Sequence, residues 1–267
     1  MGKIISFKSV IPQSGKTTSI YNLSCNILNN DKNKKVLVLC LNNDYSELKR
    51  IILQEQNIKI EGEIALNNLV VYKDEESYFD LLKLIPNENG LYLSTLDISH
   101  SIIYNSNMES LYVDFLKHVK SIFDYVFIEI PYLNSEYLSN SLNELIIENS
   151  DISLTMLIQD YTSVDKTVNL AMKTDLFVLG KYMPDIYPDL KKIKKLLKKD
   201  NVIALNFCTQ LVNNRNQCIL KHYYMEETVF NQDIKELLRF IGEEIEEEKK
   251  EGIINRIIKR KRKEGDQ

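Results

Sequence analysis

Glycine and proline are scarce in this chain, at 8 and 5 of 267 residues, while asparagine, lysine and isoleucine abound. That bias reads as nucleotide composition of the genome, not as a functional signal. Histidine is scarcer still, and His100, His118 and His222 show no metal-ligand spacing. The cysteines Cys25, Cys40, Cys208 and Cys218 form no CxxC pair, which argues against a zinc site or a disulfide framework. They read as small, mostly core residues in a reducing compartment. No run approaches the roughly 18 apolar residues of a membrane span, and the apolar start at Ile4–Phe7 is too short for a signal peptide. A soluble, cytoplasmic protein is therefore expected. The formal charge of -4 argues against a protein that coats nucleic acid with its whole surface, though it leaves room for a local basic patch.

Apolar residues make up 44% of the chain, enough for a sizeable core. Short β-rich runs alternate with helical patterns, as in βαβ units. The runs predict strands at Lys3–Phe7, Lys35–Leu41, Gly90–Leu96, Tyr125–Ile130, Ser153–Ile158, Asp175–Tyr182 and Asn201–Asn206. Val36 to Leu41 is apolar throughout, as expected of a strand covered on both faces. Helical spacing is present over Lys16–Asn29, Ser46–Gln56, Met108–Phe123, Ser135–Glu148, Val164–Met172, Pro188–Lys199 and Gln232–Lys249. Residues 58–76 are the least legible. The expected fold is an α/β three-layer sandwich on a mostly parallel sheet of seven or eight strands, spanning residues 1–250. A basic tail follows over residues 251–267.

The sharpest signal is Gly15-Lys16-Thr17, which follows the first strand and opens a helix. In that context the backbone N–H groups from Ser14 onward face phosphates, and the helix N-terminus adds positive potential. Lys16 would reach the β- and γ-oxygens, and the Thr17 hydroxyl would ligate Mg²⁺. The first glycine of the full G-x-x-x-x-G-K-[ST] pattern is Val10 here. A chance tripeptide at a helix start capped by Ser14 is the bland alternative, and the position directly after the first strand weighs against it.

These residues resemble the ParA/MinD family of deviant P-loop ATPases. The opening Lys3-Ile-Ile-Ser-Phe and Gly15-Lys-Thr-Thr-Ser-Ile-Tyr-Asn-Leu23 match that family's first strand, loop and helix. Lys34 to Asn42 falls where the family has its second strand ending in Asp-x-Asp. Phe123-Asp-Tyr-Val-Phe-Ile-Glu129-Ile-Pro131 falls on its Walker B strand, and Val202-Ile-Ala-Leu-Asn206 on the strand whose asparagine holds adenine. The resemblance implies ATP and Mg²⁺ as ligands, with Ser14, Gly15, Lys16, Thr17 and Thr18 on the phosphates. It implies Thr17 and Glu129 on the metal, Asn206 on the base, and Lys16 and Glu129 as the catalytic pair. It also implies a homodimer with ATP and a monomer with ADP.

The departures are equally specific. The family's interface-crossing lysine falls on Ile11, with Lys8 earlier on the strand. Its two aspartates fall on Cys40 and Asn42, and Glu129 replaces the Walker B aspartate. Because phosphoryl transfer depends on positioning and charge neutralisation, these losses slow hydrolysis more than they weaken binding.

The tail, Ile253–Lys263, sets four isoleucines on one helical arc against Lys and Arg, and it resembles the membrane-targeting tail of MinD. A disordered tail, a helix packed on this protein or on a partner protein, and non-specific DNA contact are the alternatives. DNA contact would be aided by Lys191, Lys192, Lys194, Lys195, Lys198 and Lys199. Three functions follow: a switch that positions partners at the inner membrane surface, a non-hydrolysing adaptor of a secretion, pilus or conjugation assembly, and a DNA-partition ATPase.

Overall fold

Strands that are apolar on both sides need cover on both faces, and the sheet of this protein is covered on both. The computed structural model describes residues 2–41, 64–65, 90–97, 106–133, 140–169, 172–217 and 228–244. Its strands are β1 (Lys3–Ser9), β2 (Val36–Cys40), β3 (Ile64–Ala65), β4 (Leu91–Asp97), β5 (Tyr125–Tyr132), β6 (Ile152–Ile158), β7 (Leu176–Tyr182) and β8 (Val202–Asn206). They form one sheet in the order β3-β4-β2-β5-β1-β6-β7-β8. All the pairings are parallel. The seven expected strands are all present, with ends moved by at most two residues. The eighth, β3, has only two residues.

Seven helices are described: α1 (Lys16–Asn30), α2 (Ser106–Ile122), α3 (Asn140–Glu148), α4 (Tyr161–Val168), α5 (Leu190–Leu197), α6 (Thr209–Asn216) and α7 (Val229–Phe240). Strand residues alternate between the two layers. Ile5, Phe7, Val38, Phe127 and Met156 pack with Ile20, Leu23 and Ile27 of α1 and Ile234 and Leu238 of α7. Ile4, Leu39, Val126 and Ile128 pack with Phe115 and Val119 of α2 and Ile147 of α3. Farther along the sheet, Leu157, Phe177 and Leu179 pack with Val164 of α4 and Ile193 of α5.

Helix ends differ from the expected ones where capping chemistry decides. The fourth helix begins at Tyr161, not Val164, because the Asp160 side chain accepts from the Ser163 amide. Asp189 caps α5 in the same way, and Thr228 starts α7 before Gln232. The last helix ends at Phe240, short of Lys249, where Gly242 at φ 79° turns the chain back. Helix α6 was not anticipated at all. Its sequence is polar, and Leu211 is its one buried residue, so no apolar stripe announces it. The expected helix Ser46–Gln56 and the tail 251–267 lie outside the described residues.

The chain beyond α7 is fastened to the N-terminal edge of the sheet. Buried Glu243 accepts from Lys34 Nζ at 2.6 and 2.8 Å and from the Tyr125 hydroxyl. Lys3 Nζ donates to the Ile241 carbonyl at 2.8 Å. Burial, and then the hydrogen bond to Glu243, hold the Tyr125 hydroxyl well above its usual pKa.

Lys8 is fully buried in β1. Its ammonium donates to Ser153 Oγ at 2.6 Å and to the Lys173 carbonyl. It points into the protein and is not presented to another molecule, so it is not the replacement for the interface lysine. Burial lowers its pKa to about 7, partly countered by Asp175, with Lys173 lowering it further.

Two substitutions test this framework. The folded chain releases the Lys8 proton from about pH 7, whereas an unfolded lysine holds it to about 10.4. Between these values the unfolded state binds more protons, so wild-type stability rises with pH relative to Lys8→Met. The gain is at most roughly 1.4 kcal/mol per pH unit. Urea unfolding of both proteins from pH 7 to 9 reads that slope, and parallel curves would count against a buried amine. On β7, a Cβ at Gly180 would lie 2.2 Å from the Ser14 carbonyl oxygen. Gly180→Ala should therefore push the loop off the sheet, costing about 1–3 kcal/mol in denaturant unfolding and displacing the Ser14–Thr17 amide resonances.

Candidate functional site

All eight strands run the same way, so their C-terminal ends share one edge, and β1 lies where the order of connection reverses. The chain leaves β1 there, over Val10–Gly15. Gln13 at φ 55° and Gly15 at φ 94° give it two left-handed turns, the second suited to glycine. Helix α1 then starts on Gly15, with no side chain capping it. Ser14 therefore does not cap the helix, contrary to the bland alternative. Its hydroxyl is buried without a hydrogen-bond partner among the described residues.

Register brings the chemistry together. Glu129 on β5 pairs with Phe7 of β1 on one side and Cys40 of β2 on the other. Its Oε1 accepts from the Thr17 hydroxyl at 2.6 Å, and its Oε2 lies 3.6 Å from Cys40 Sγ. Cys40 is a buried strand end, as its sequence context suggests. The Lys16 ammonium donates to the Ile130 carbonyl. Burial lowers the Lys16 pKa to about 8, while Glu129 and then Cys40 pull it back up. Ser14, Gly15, Lys16, Thr17, Thr18 and Glu129 all line one cleft.

A second cleft adjoins it, with Gly15, Thr18 and Arg215 bordering both. Its walls include Gly180, Asn206, Phe207, Leu211 and Phe230. The backbone and side-chain amides of Asn206 both donate to Asp233 Oδ2, at 2.7 and 2.9 Å. That fixes the side chain and leaves its oxygen as the atom not engaged with Asp233. Burial raises the Asp233 pKa, and the two bonds from Asn206 oppose the rise.

All the site residues expected from the sequence thus fall on two adjoining clefts, six on the loop side and Asn206 on the other. Gly180, Lys181, Phe207, Arg215 and Asp233 escaped sequence reasoning. Lys181 sits at φ 55° where the β7–β8 register shifts, a bulge that no sequence pattern announced. Asp233 carried no readable sign, since the same helix also bears Glu236 and periodicity marks only its apolar face. Among the described residues no cluster of three or more His, Cys, Asp or Glu could hold a metal ion. The oxygen pair of Thr17 and Glu129 nevertheless suits a hard cation that also takes phosphate oxygens. No described helix is long and apolar enough to cross a membrane.

No protein-family model and no curated protein matches the chain. Solved structures do. A chain of the MinC:MinD cell division complex of Aquifex aeolicus aligns with a TM-score of 0.69 at 16% identity, covering 93% of this chain and 99% of that one. MinD of Pyrococcus horikoshii, complexed with Mg-ADP, aligns at 0.65 and 15%, over 91% and 96%. An ATP complex of a McdA variant from Cyanothece aligns at 0.70 and 15%, over 91% and 98%. The chain has the fold of the ParA/MinD P-loop ATPases.

Proposed function

We propose that this protein is an ATP-binding switch that dimerises with nucleotide and positions or recruits a partner protein at the inner membrane surface. One observation carries the reading. A phosphate loop, the Thr17–Glu129 pair and an apolar cleft ending on Asn206 lie side by side at the sheet edge where such nucleotides bind. In this reading Ser14 to Thr18 and Lys16 hold the phosphates, Thr17 and Glu129 hold Mg²⁺, and Asn206 accepts from the adenine amine. The metal, when bound, neutralises charge on the phosphates. MinD with Mg-ADP and McdA with ATP are structural neighbours, which favours the same ligands here.

Slow turnover belongs to the same reading. Cys40 at the end of β2 carries no fixed charge with which to orient a water, and Ile11 supplies no cation to a partner. Lys8, the nearest candidate, is buried among Ser153 and Lys173. The tail serves the membrane side of the reading. The last described residues are fastened at the sheet edge opposite the clefts, through Glu243. Each basic residue near an anionic surface adds about 1 kcal/mol, and two tails on a dimer act together.

Calorimetry with Mg²⁺ is expected to show micromolar ATP binding that Lys16→Ala abolishes, with phosphate release far below one per minute. Wild-type protein that ignores ATP would leave the adaptor reading in its place, and rapid steady-state turnover would remove the slow-switch reading. On vesicles containing phosphatidylglycerol, flotation should require ATP and disappear on truncation after Gly252. The exposed lysines of α5 give the DNA-partition reading its own test. Retention on DNA with no flotation would select it.

A further inference from the structure

We infer that Arg215 binds the nucleotide's phosphate chain, as a second cation supplied within one protomer where the phosphates meet the ribose. The inference rests on the nucleotide reading above. Arg215 lies in the last turn of α6 and is partly buried. It borders both clefts, as do Gly15 and Thr18 of the loop side. It therefore reaches their shared boundary from a different element.

Charge strengthens the case. The ionisable side chains lining the phosphate cleft, among the described residues, are Lys16, Glu129, Tyr132 and Arg215. Lys16 and Arg215 are the two basic side chains among them, and the ligand carries several negative charges. A guanidinium is charged at every working pH, and its planar fork can take two phosphate oxygens together. The mundane role for an arginine in a last helical turn is to complement the helix dipole, which would affect stability alone. A residue at the boundary of the two clefts meets the α- and β-phosphates before the γ, so ATP and ADP should feel it alike and adenosine should not.

The test titrates ATP, ADP and adenosine, each with Mg²⁺, into wild type, Arg215→Ala and Arg215→Lys, and follows thermal unfolding without nucleotide. The alanine variant should weaken ATP and ADP by roughly ten- to a hundredfold, while lysine recovers part of the loss. Adenosine binding and the unfolding temperature should hold. Mixing Arg215→Ala with Lys16→Ala protein should restore nothing, because the charge acts in cis. Should the alanine variant not fold, Arg215→Gln replaces it, keeping the first part of the stem and a polar end without the charge. Unchanged ATP affinity in a folded variant, an equal loss for adenosine, or rescue by mixing would overturn the inference. A wild type that fails to bind ATP would overturn the nucleotide reading and this inference with it, whereas an Arg215→Ala protein that binds normally overturns this inference alone.

Discussion

The Ser14 carbonyl comes as close to β7 as it does only because residue 180 has no side chain. From that approach the geometry of the edge follows. The loop leaves β1, rests on β7, and turns through Gly15 so that α1 points its free N–H groups back over the sheet. Met156 of β6 lies beneath Gly15, its terminal carbon 4.0 Å from where a Cβ would stand. Three neighbouring strands thus seat one short loop. An all-parallel sheet makes this possible by bringing every C-terminal strand end to the same edge. Glu129 and Cys40 arrive by strand register, needing no loop of their own.

The two lysines near this loop show how differently one residue type can be used. Lys8 and Lys16 both have lowered pKa values, with burial the first cause for each. Lys8 finds Ser153 and a carbonyl inside the core, so it is structural. Lys16 rests on the Ile130 carbonyl at the floor of an open cleft, a contact that a phosphate oxygen could replace. Sequence alone set them eight positions apart with no sign of this division. It appears only when the strand shows which way each side chain points.

Much of the architecture was legible because its causes are local and periodic. The apolar runs of the strands mark a sheet buried on both faces, and Gly15-Lys16-Thr17 gains meaning from following the first of them. The illegible parts depend on tertiary packing. Helix α6 has no apolar stripe, so its existence and the position of Arg215 could not be foreseen. Asp233 acts on Asn206 across two elements, a pairing that no spacing encodes. Caps shift helix ends by a turn, as Asp160 does, because one side chain can satisfy an amide that periodicity does not weigh.

The resting contacts of the site bear on how a ligand could bind with gain. Thr17 already donates to Glu129, and Lys16 to a carbonyl. A glutamate at this position is long enough to make that first contact directly. A phosphate that takes Thr17 exchanges one hydrogen bond for another, worth only about 1 kcal/mol, whereas Lys16 trades a neutral carbonyl for a charged oxygen and gains about 1.5–3 kcal/mol. Further affinity must come from groups with less to lose. The Ser14 hydroxyl is buried without a partner among the described residues, and leaving such a group unsatisfied costs about 1–3 kcal/mol. The first N–H groups of α1 have no intrahelical acceptor. Together they make the loop backbone and Ser14, beside the charged contact of Lys16, places where binding energy would be gained.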